Sequence, residues 1–344
     1  MSRAPLAVLG FGMTTAVGLT GRATCAAFRA RIDGVQETHF VATGGSRLKG
    51  AIVQLEEPWQ GVPRLARLVS GPIAECLNLI PNHTSDDIPL LLGVAESDRP
   101  GRFPYLDSFI LTEVQAALDV RFHPSSRTVP MGRVAGAAGM REASRLVNEA
   151  GFPRVIVAGV DSYLVSATLA SFHERGRLLT EDNSNGFIPG EAGAALLCGP
   201  DGDDRSGVSI LSLGFAVEQA VIGGDHPLRG DGLTHAFQHA LLSAGLEMAQ
   251  VGYRLSSMNG EQYWSKEIDL ATIRLLRGRH DEIDLWHPAS CIGEVGAASL
   301  PISLGLAAAA ASGRWAPGDP ALVAAANDDG RRAVLLASAV RRPR

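Results

Sequence analysis

The sequence predicts an α/β protein assembled from two similar halves. Three observations carry this. Short apolar runs alternate with segments of helical spacing along the chain, as strands interleaved with helices do. The second half, from residue 208 onward, repeats the grammar of the first. The apolar runs that end each half, residues 192–198 and 332–339, are alike: small and aliphatic, without helical period, as strands buried on both faces would be.

Taken in order, residues 6–11 form a strand that Gly10 and Gly12 break into a turn, and residues 20–32 form a helix opened by a Thr20 cap. Residues 35–87 are polar and irregular apart from a helix around 64–79. A buried strand follows at 88–94, then a helix at 107–118 with an aspartate at its start. Residues 128–130 lead into a Gly/Ala-rich run, 132–140, which passes into helical spacing over 141–149 and then a strand at 154–158. Residues 165–174 give another helix. The stretch NGFIPGEAGAALL, residues 185–197, closes the first half, with turns at Asn185-Gly186 and Pro189-Gly190 that call for positive or fixed φ, and with Gly199-Pro200 as its stop. Glu191 sits where the chain changes direction, and a buried carboxylate there must be hydrogen-bonded or paired.

The polar segment DGDDRS, residues 201–206, marks a boundary and gives halves at 1–203 and 206–344. In the second half strands at 208–214, 252–255 and 283–286 alternate with helices at 233–245 and 266–277, all with largely parallel pairing expected. A long helix and two strands around Asp328-Asp329-Gly330 complete it.

Composition narrows the function. A chain of 344 residues with 46% hydrophobic content buries a large core. Its net charge of −5 comes from interspersed charges, without the basic stripe that a phosphate backbone selects, so nucleic acid is excluded as a partner. Cys25, Cys76, Cys198 and Cys291 are too scattered for a disulfide framework or a zinc site, which fits a reducing cytoplasm with no metal or other cofactor. The N-terminus reads as a first strand and turn and not as a signal peptide. The apolar run 295–311 is short, Ala/Gly/Ser-rich and contains Pro301, so it reads as a helix buried between protein layers and not as a membrane span. His235 and His239 share one helix face in HAFQH but lack the glutamate of a zinc-protease pattern, and read as a solvated or capping pair. Gly10-Phe11-Gly12 lacks the third glycine and the acid of a dinucleotide fingerprint.

Several segments, in order, resemble the β-ketoacyl-acyl-carrier-protein synthases, the condensing enzymes of the thiolase superfamily. VLGFGMTTAVGLT is similar to their V-T-G-x-G-x-V-T-P-x-G opening, RVIVAGVDS to their D-V-x-x-A-G-G strand, and NGFIPGEAGAALL to D-G-F-x-x-G-E-G-A-G-x-L. GGDHPLRGDGLTHAFQHALLSAG resembles the stretch leading to their first histidine loop, and IGEVGAASLPISLGLAAA the T-G-H-x-x-G-A-A-G helix start that carries their second histidine. The resemblance implies a thiolase-like fold, two pseudo-duplicated halves in α-β-α-β-α layers, and pairing of subunits through the first half.

It also implies where the chemistry belongs. Condensation uses a cysteine thiolate at a helix N-terminus, where the dipole and backbone amides lower the thiol pKa, together with two histidines that bind the malonyl thioester. The nucleophile position falls on Val134, and residues 132–140 contain no Cys, Ser or Thr, only the polar Arg133. The histidine positions fall on Ser257 and Glu294, the lysine position near Ala289, and the G-F-G-G oxyanion turn on Asn327-Asp328-Asp329-Gly330. A glutamate and aspartates there would repel a carboxylate substrate and a developing oxyanion.

The expectation is therefore a condensing-enzyme homologue without condensing activity, a partner subunit or acyl-chain scaffold in fatty-acid or polyketide-type synthesis. Its partners would be a second copy or an active ketosynthase, and acyl carrier protein. Two other readings stand beside it. Ser257, Glu261 and Glu294, with Cys291 close before Glu294 and with Asn259 and Asp328 in the same loops, could form a replaced acyl-thioester site, an acyltransferase or hydrolase. A working synthase with divergent residues is the other. Against the replaced site stands a plainer view: Ser257 and Glu294 make loop hydrogen bonds or caps, Cys291 is a small buried hydrophobe, and Glu191 and His226 are structural.

Overall fold

The computed structural model describes residues 5–42, 45–80, 85–202, 207–277 and 283–340. In the first half the elements are β1 (Leu6–Thr14), α1 (Gly21–Arg29), β2 (Val35–Val41), β3 (Arg47–Ala51), α2 (Gly61–Leu77), β4 (Leu90–Val94), α3 (Leu106–Leu118), β5 (Arg127–Pro130), α4 (Ala135–Asn148), β6 (Val155–Ser162), α5 (Ser166–Glu174) and β7 (Glu191–Pro200). The second half contains β8 (Val208–Val217), α6 (Asp231–Ala244), β9 (Tyr253–Ser256), α7 (Gln262–Leu275), β10 (Leu285–Trp286), α8 (Ala289–Ile292), α9 (Ser299–Gly313), β11 (Ala321–Ala326) and β12 (Arg331–Ala339). Most of the expected boundary segment, residues 203–206, lies outside the described residues.

Among the described residues ten strands make one sheet in the order β10-β9-β11-β12-β8-β1-β7-β6-β4-β5, and β2 and β3 pair separately. Each half contributes five strands in the same order, its third, second, fourth, fifth and first. Pairing is duplicated as well: β4 runs parallel to β5 and β6, as β9 does to β10 and β11, while the fourth, fifth and first strands of each half run antiparallel. The halves join through a short antiparallel pairing of β1 with β8, Leu6 to Ile210 and Val8 to Val208. The sheet is thus mixed, not largely parallel. A four-residue turn, Asn327 to Gly330, joins β11 to β12, and a connection that short permits only antiparallel strands.

Three cores separate the layers. Along β7, Ala192, Ala194, Leu196 and Cys198 face a central core that α4 and α9 fill, while Ala195 and Leu197 face an outer core under α2 and α3. On β12, Ala333, Leu335 and Ala337 join the central core, and Val334 and Leu336 pack under α6 and α7. Strands buried on both faces need apolar residues at every position, which is why these segments show no alternation. The layers are α2 and α3, the first half-sheet, α4 and α9, the second half-sheet, and α6 and α7. The apolar run 296–313, the one stretch among the described residues long and apolar enough to cross a membrane, is mostly buried inside this sandwich as α9.

Local expectations divide. Thr20 caps α1 and accepts from the Ala23 N–H at 3.2 Å. Strand β1, by contrast, runs through Gly10 and Gly12 without turning. Those glycines admit α2, since a Cβ on Gly12 would lie 2.4 Å from the Pro72 carbonyl oxygen. Residues 35–41 and 47–51 are not irregular but pair as the antiparallel strands β2 and β3. Neither Gly186 nor Gly190 takes a positive φ. A Cβ on Gly190 would fall 2.2 Å from the Ile292 carbonyl oxygen, so close packing, not turn geometry, requires glycine there.

Candidate functional site

The expected reactive residues come from four loops, at the ends of β5, β9 and β11 and at the approach to α9. At the first, Gly132–Val134 forms a single 3-10 turn before α4. Val134 is 2% exposed, and its N–H donates to Asn327 Oδ1 at 3.3 Å, while Asn327 Nδ2 donates to the Met131 carbonyl at 2.8 Å. An apolar side chain and a backbone amide already in use occupy the position the resemblance gives to the nucleophile.

Arg133 turns inward. Its Nε donates to Glu294 Oε2 at 2.9 Å and its Nη2 lies 2.8 Å from the same oxygen, and the two side chains are 2% and 1% exposed. Nη1 donates to the Ala326 carbonyl at 3.0 Å and reaches Asp328 Oδ1 at 3.3 Å, and the guanidinium lies 4.9 Å from the Trp264 ring centre. Glu294 is filled from its other sides: Oε2 accepts from Asn259 Nδ2 at 2.8 Å and Oε1 from the Gly296 N–H at 2.9 Å. Burial is the largest single influence and pulls the Arg133 pKa down, but the neighbouring Glu294, Tyr163 and Asp328 together hold the group well above its ordinary value.

A second arginine closes the outer side. Arg177 Nε and Nη2 donate to the two Glu261 oxygens, each at 2.7 Å, and Nη1 pairs with Asp328. Trp264 Nε1 donates to Glu261 Oε2 at 3.0 Å. Burial by itself would raise the Asp328 carboxyl, but Arg133 and Arg177 together hold it below the usual carboxylate range. The acids that were expected to repel an anion are therefore each paired. Two arginines, from the turn before α4 and the loop after α5, hold Glu294, Glu261 and Asp328, and the set keeps one negative charge in excess.

Ser257 and Cys291 do not complete a catalytic set with these groups. Ser257 Oγ accepts from the Ala326 N–H at 3.2 Å. Cys291 is 6% exposed with its sulfur 3.8 Å from Ser290 Oγ, and burial pushes its thiol above the ordinary cysteine value, the wrong direction for a nucleophile. The cavity between Ser257 and Glu294 measures about 10 Å³, space for roughly one water and not for an acyl thioester. Glu191 is buried and hydrogen-bonded on both carboxylate oxygens. It accepts from Val53 N at 3.0 Å, Arg64 Nε at 2.9 Å and Ser162 Oγ at 3.1 Å, so it ties β7 to α2 and to the end of β6.

The sequence reading missed Arg177 and Trp264, and gave Asn327 only a place in the oxyanion turn. One signal was present: an arginine inside a Gly/Ala-rich run and a glutamate inside an apolar one each demand a buried counter-charge, and together they satisfy that demand.

No protein-family model matches the chain, and no curated protein matches it in sequence. Solved structures do match. The ishigamide ketosynthase/chain length factor superposes with a TM-score of 0.71 at 18% identity, covering 98% of this chain and 100% of that one. The complex of the ketosynthase ApeO with its chain length factor ApeC from Xenorhabdus doucetiae gives 0.79 at 14% identity over 97% and 98% of the two chains. A type II polyketide synthase acyl-carrier protein in complex with its ketosynthase, AntDE:AntF, gives 0.81 at 14% identity over 99% and 100%. Matches over the full length of both chains place the likeness in the architecture as a whole. The chain therefore has the thiolase-type, α-β-α-β-α fold of the ketosynthases and chain length factors.

Proposed function

We propose that this protein is a non-catalytic ketosynthase-like subunit, a partner or acyl-chain scaffold beside an active ketosynthase in fatty-acid or polyketide-type synthesis. One observation carries the reading: Arg133 and Glu294 form a buried ion pair next to the buried Val134, at positions the resemblance gives to the reactive residues. A thiolate and two imidazoles act there by donating and accepting around a substrate carbonyl. A buried, mutually satisfied ion pair has no free donor or acceptor to offer one. The similar structures support the partner assignment, because they include a ketosynthase in complex with its chain length factor and an acyl-carrier protein in complex with its ketosynthase.

In this reading residues 1–203 and 206–344 are the two halves, and pairing uses the first half, whose end strand β5 is an open sheet edge. The partner is a ketosynthase or a second copy, acyl carrier protein docks on the assembly, and the complex is cytoplasmic. The test is direct. The purified chain alone, given acyl and malonyl thioesters of carrier protein, forms no β-ketoacyl product, and co-expressed with a ketosynthase encoded beside it, it co-purifies as a stoichiometric complex. A β-ketoacyl product from the chain alone overturns the reading.

A further inference from the structure

The cleft outside Arg177 and Asp328, about 340 Å³, has a wall that the ion-pair network does not use. Arg99 follows the end of β4. Its side chain is 7% exposed, its guanidinium lies 4.4 Å from the Tyr163 ring centre, and Nη2 pairs with Asp161. Asp161 is itself fixed, since it accepts from the Ser162 N–H at 2.8 Å and the Ala297 N–H at 3.2 Å. The guanidinium cannot readily turn away. Yet its Nε and Nη1 are buried and have no hydrogen-bond partner within the protein.

Glu96 stands opposite. Its Oε2 is also buried without a hydrogen-bond partner and lies 4.0 Å from Arg99 Nε, too far for a hydrogen bond between them. Gly132, at φ +53°, makes room for this carboxylate: a Cβ there would fall 1.9 Å from Glu96 Oε1. Any side chain at residue 132 would displace Glu96, so the orphan pair is built into the same turn that carries Arg133.

Leaving buried donors and an acceptor unmatched is costly, and the two residues that carry them line the cleft. What satisfies both must accept from Arg99 and donate to Glu96 at one point. A carboxylate accepts from Arg99 but meets the charges of Glu96 and Asp161. An ammonium donates to Glu96 but meets Arg99. A hydroxyl or a carboxamide carries donor and acceptor together, and neither is charged. Phe172 and Ile222 on the same cleft offer apolar surface beside that point.

We propose that this cleft binds a neutral ligand that presents a hydroxyl or carboxamide to Glu96 and Arg99 and an apolar segment to Phe172 and Ile222. The inference stands on this geometry and not on the partner-subunit reading, so either can fail alone. The test uses the full chain at pH 7.5 and four compounds of nearly one shape: benzamide, benzyl alcohol, benzoate and benzylammonium. Saturation-transfer NMR and titration should show saturable binding of benzamide or benzyl alcohol, with benzoate and benzylammonium at least tenfold weaker. Glu96→Ala should weaken the neutral ligand at least tenfold. Because the compound series is read on the unmodified chain, it decides the matter even if that variant does not fold. Equal binding of all four would reduce the site to an apolar cleft, tighter benzoate binding would make it an anion site, and no saturable binding would leave only an ordered water between Glu96 and Arg99. Each of these results overturns the proposal.

Discussion

Replacing Glu294 with glutamine keeps its shape and removes its charge. Arg133, 2% exposed, would then face a neutral amide, with only Asp328 at 3.3 Å to balance it, and that carboxylate is 37% exposed. Removing one partner of a buried ion pair costs about 3–5 kcal/mol, because the other charge is left desolvated. Unfolding entropy of about 2.1 cal/mol/K per residue, over 344 residues, comes to about 0.7 kcal/mol/K, so each kcal/mol moves Tm by about 1.4 °C. Glu294→Gln should therefore melt about 4–7 °C below the parent protein in a calorimetric scan. The double variant Arg133→Met/Glu294→Leu removes both charges and should recover most of that loss, since apolar replacement of a whole buried pair is close to neutral. A single variant within about 1 °C of the parent would refute the closed pair. So would a double variant that melts at the sum of the single losses, for that is the behaviour of two independent sites.

Other consequences follow from the same contacts. Val134→Cys places a thiol at the N-terminal turn of α4, but with Ser257 and Glu294 in the histidine positions it should give no β-ketoacyl product from acyl and malonyl thioesters; a product in a radiolabel assay would mean that the nucleophile alone had been lost. Asp328 has a folded-state pKa below its unfolded value, so its contribution to stability is present above about pH 4 and is lost as pH falls further through the folded pKa. Chemical denaturation from pH 6 to pH 2.5 should therefore show a loss at the acid end that is smaller in Asp328→Asn. Glu191→Ala should cost about 3 kcal/mol, near the low end for a buried pair because Arg64 is 20% exposed and can turn toward the neighbouring cavity, and urea unfolding would measure it. Burial raises the thiols of Cys25, Cys76, Cys198 and Cys291, Cys25 to about 12, so a thiol-exchange reagent at pH 8 should label the native chain slowly and the unfolded chain fully. One fast-reacting thiol in the native state would contradict the inert environments seen here.

What the sequence revealed and what it concealed have distinct physical causes. Strands β6, β7 and β12 and helix α9 are buried on all sides, so nearly every residue is apolar and the pattern is local and unbroken. Strand β2 is largely exposed, with Thr38 its one buried side chain, so it lacked an apolar signal. The site divides in the same way. Absence of a nucleophile could be read from residues 132–140, because a missing residue type needs no partner to be seen. Its replacement could not, because Arg133 and Glu294 are 161 residues apart and Arg177 and Asp328 are 151 apart. Nothing in the local sequence around Arg177 marks it as the counter-ion of two carboxylates from other loops. Repulsion from the acids was inferred from charge sign alone, without the two arginines that pair with them and reduce the excess negative charge to one.

The account centres on a retained frame whose reactive residues have been exchanged for a closed ion-pair network. Intact-mass analysis of the purified chain after incubation with an acyl thioester tests this most directly. The predicted spectrum shows the unmodified mass alone. An acyl adduct that peptide mapping places on Ser257 or Cys291 would contradict it, because it would show a reactive centre where the structure has none free.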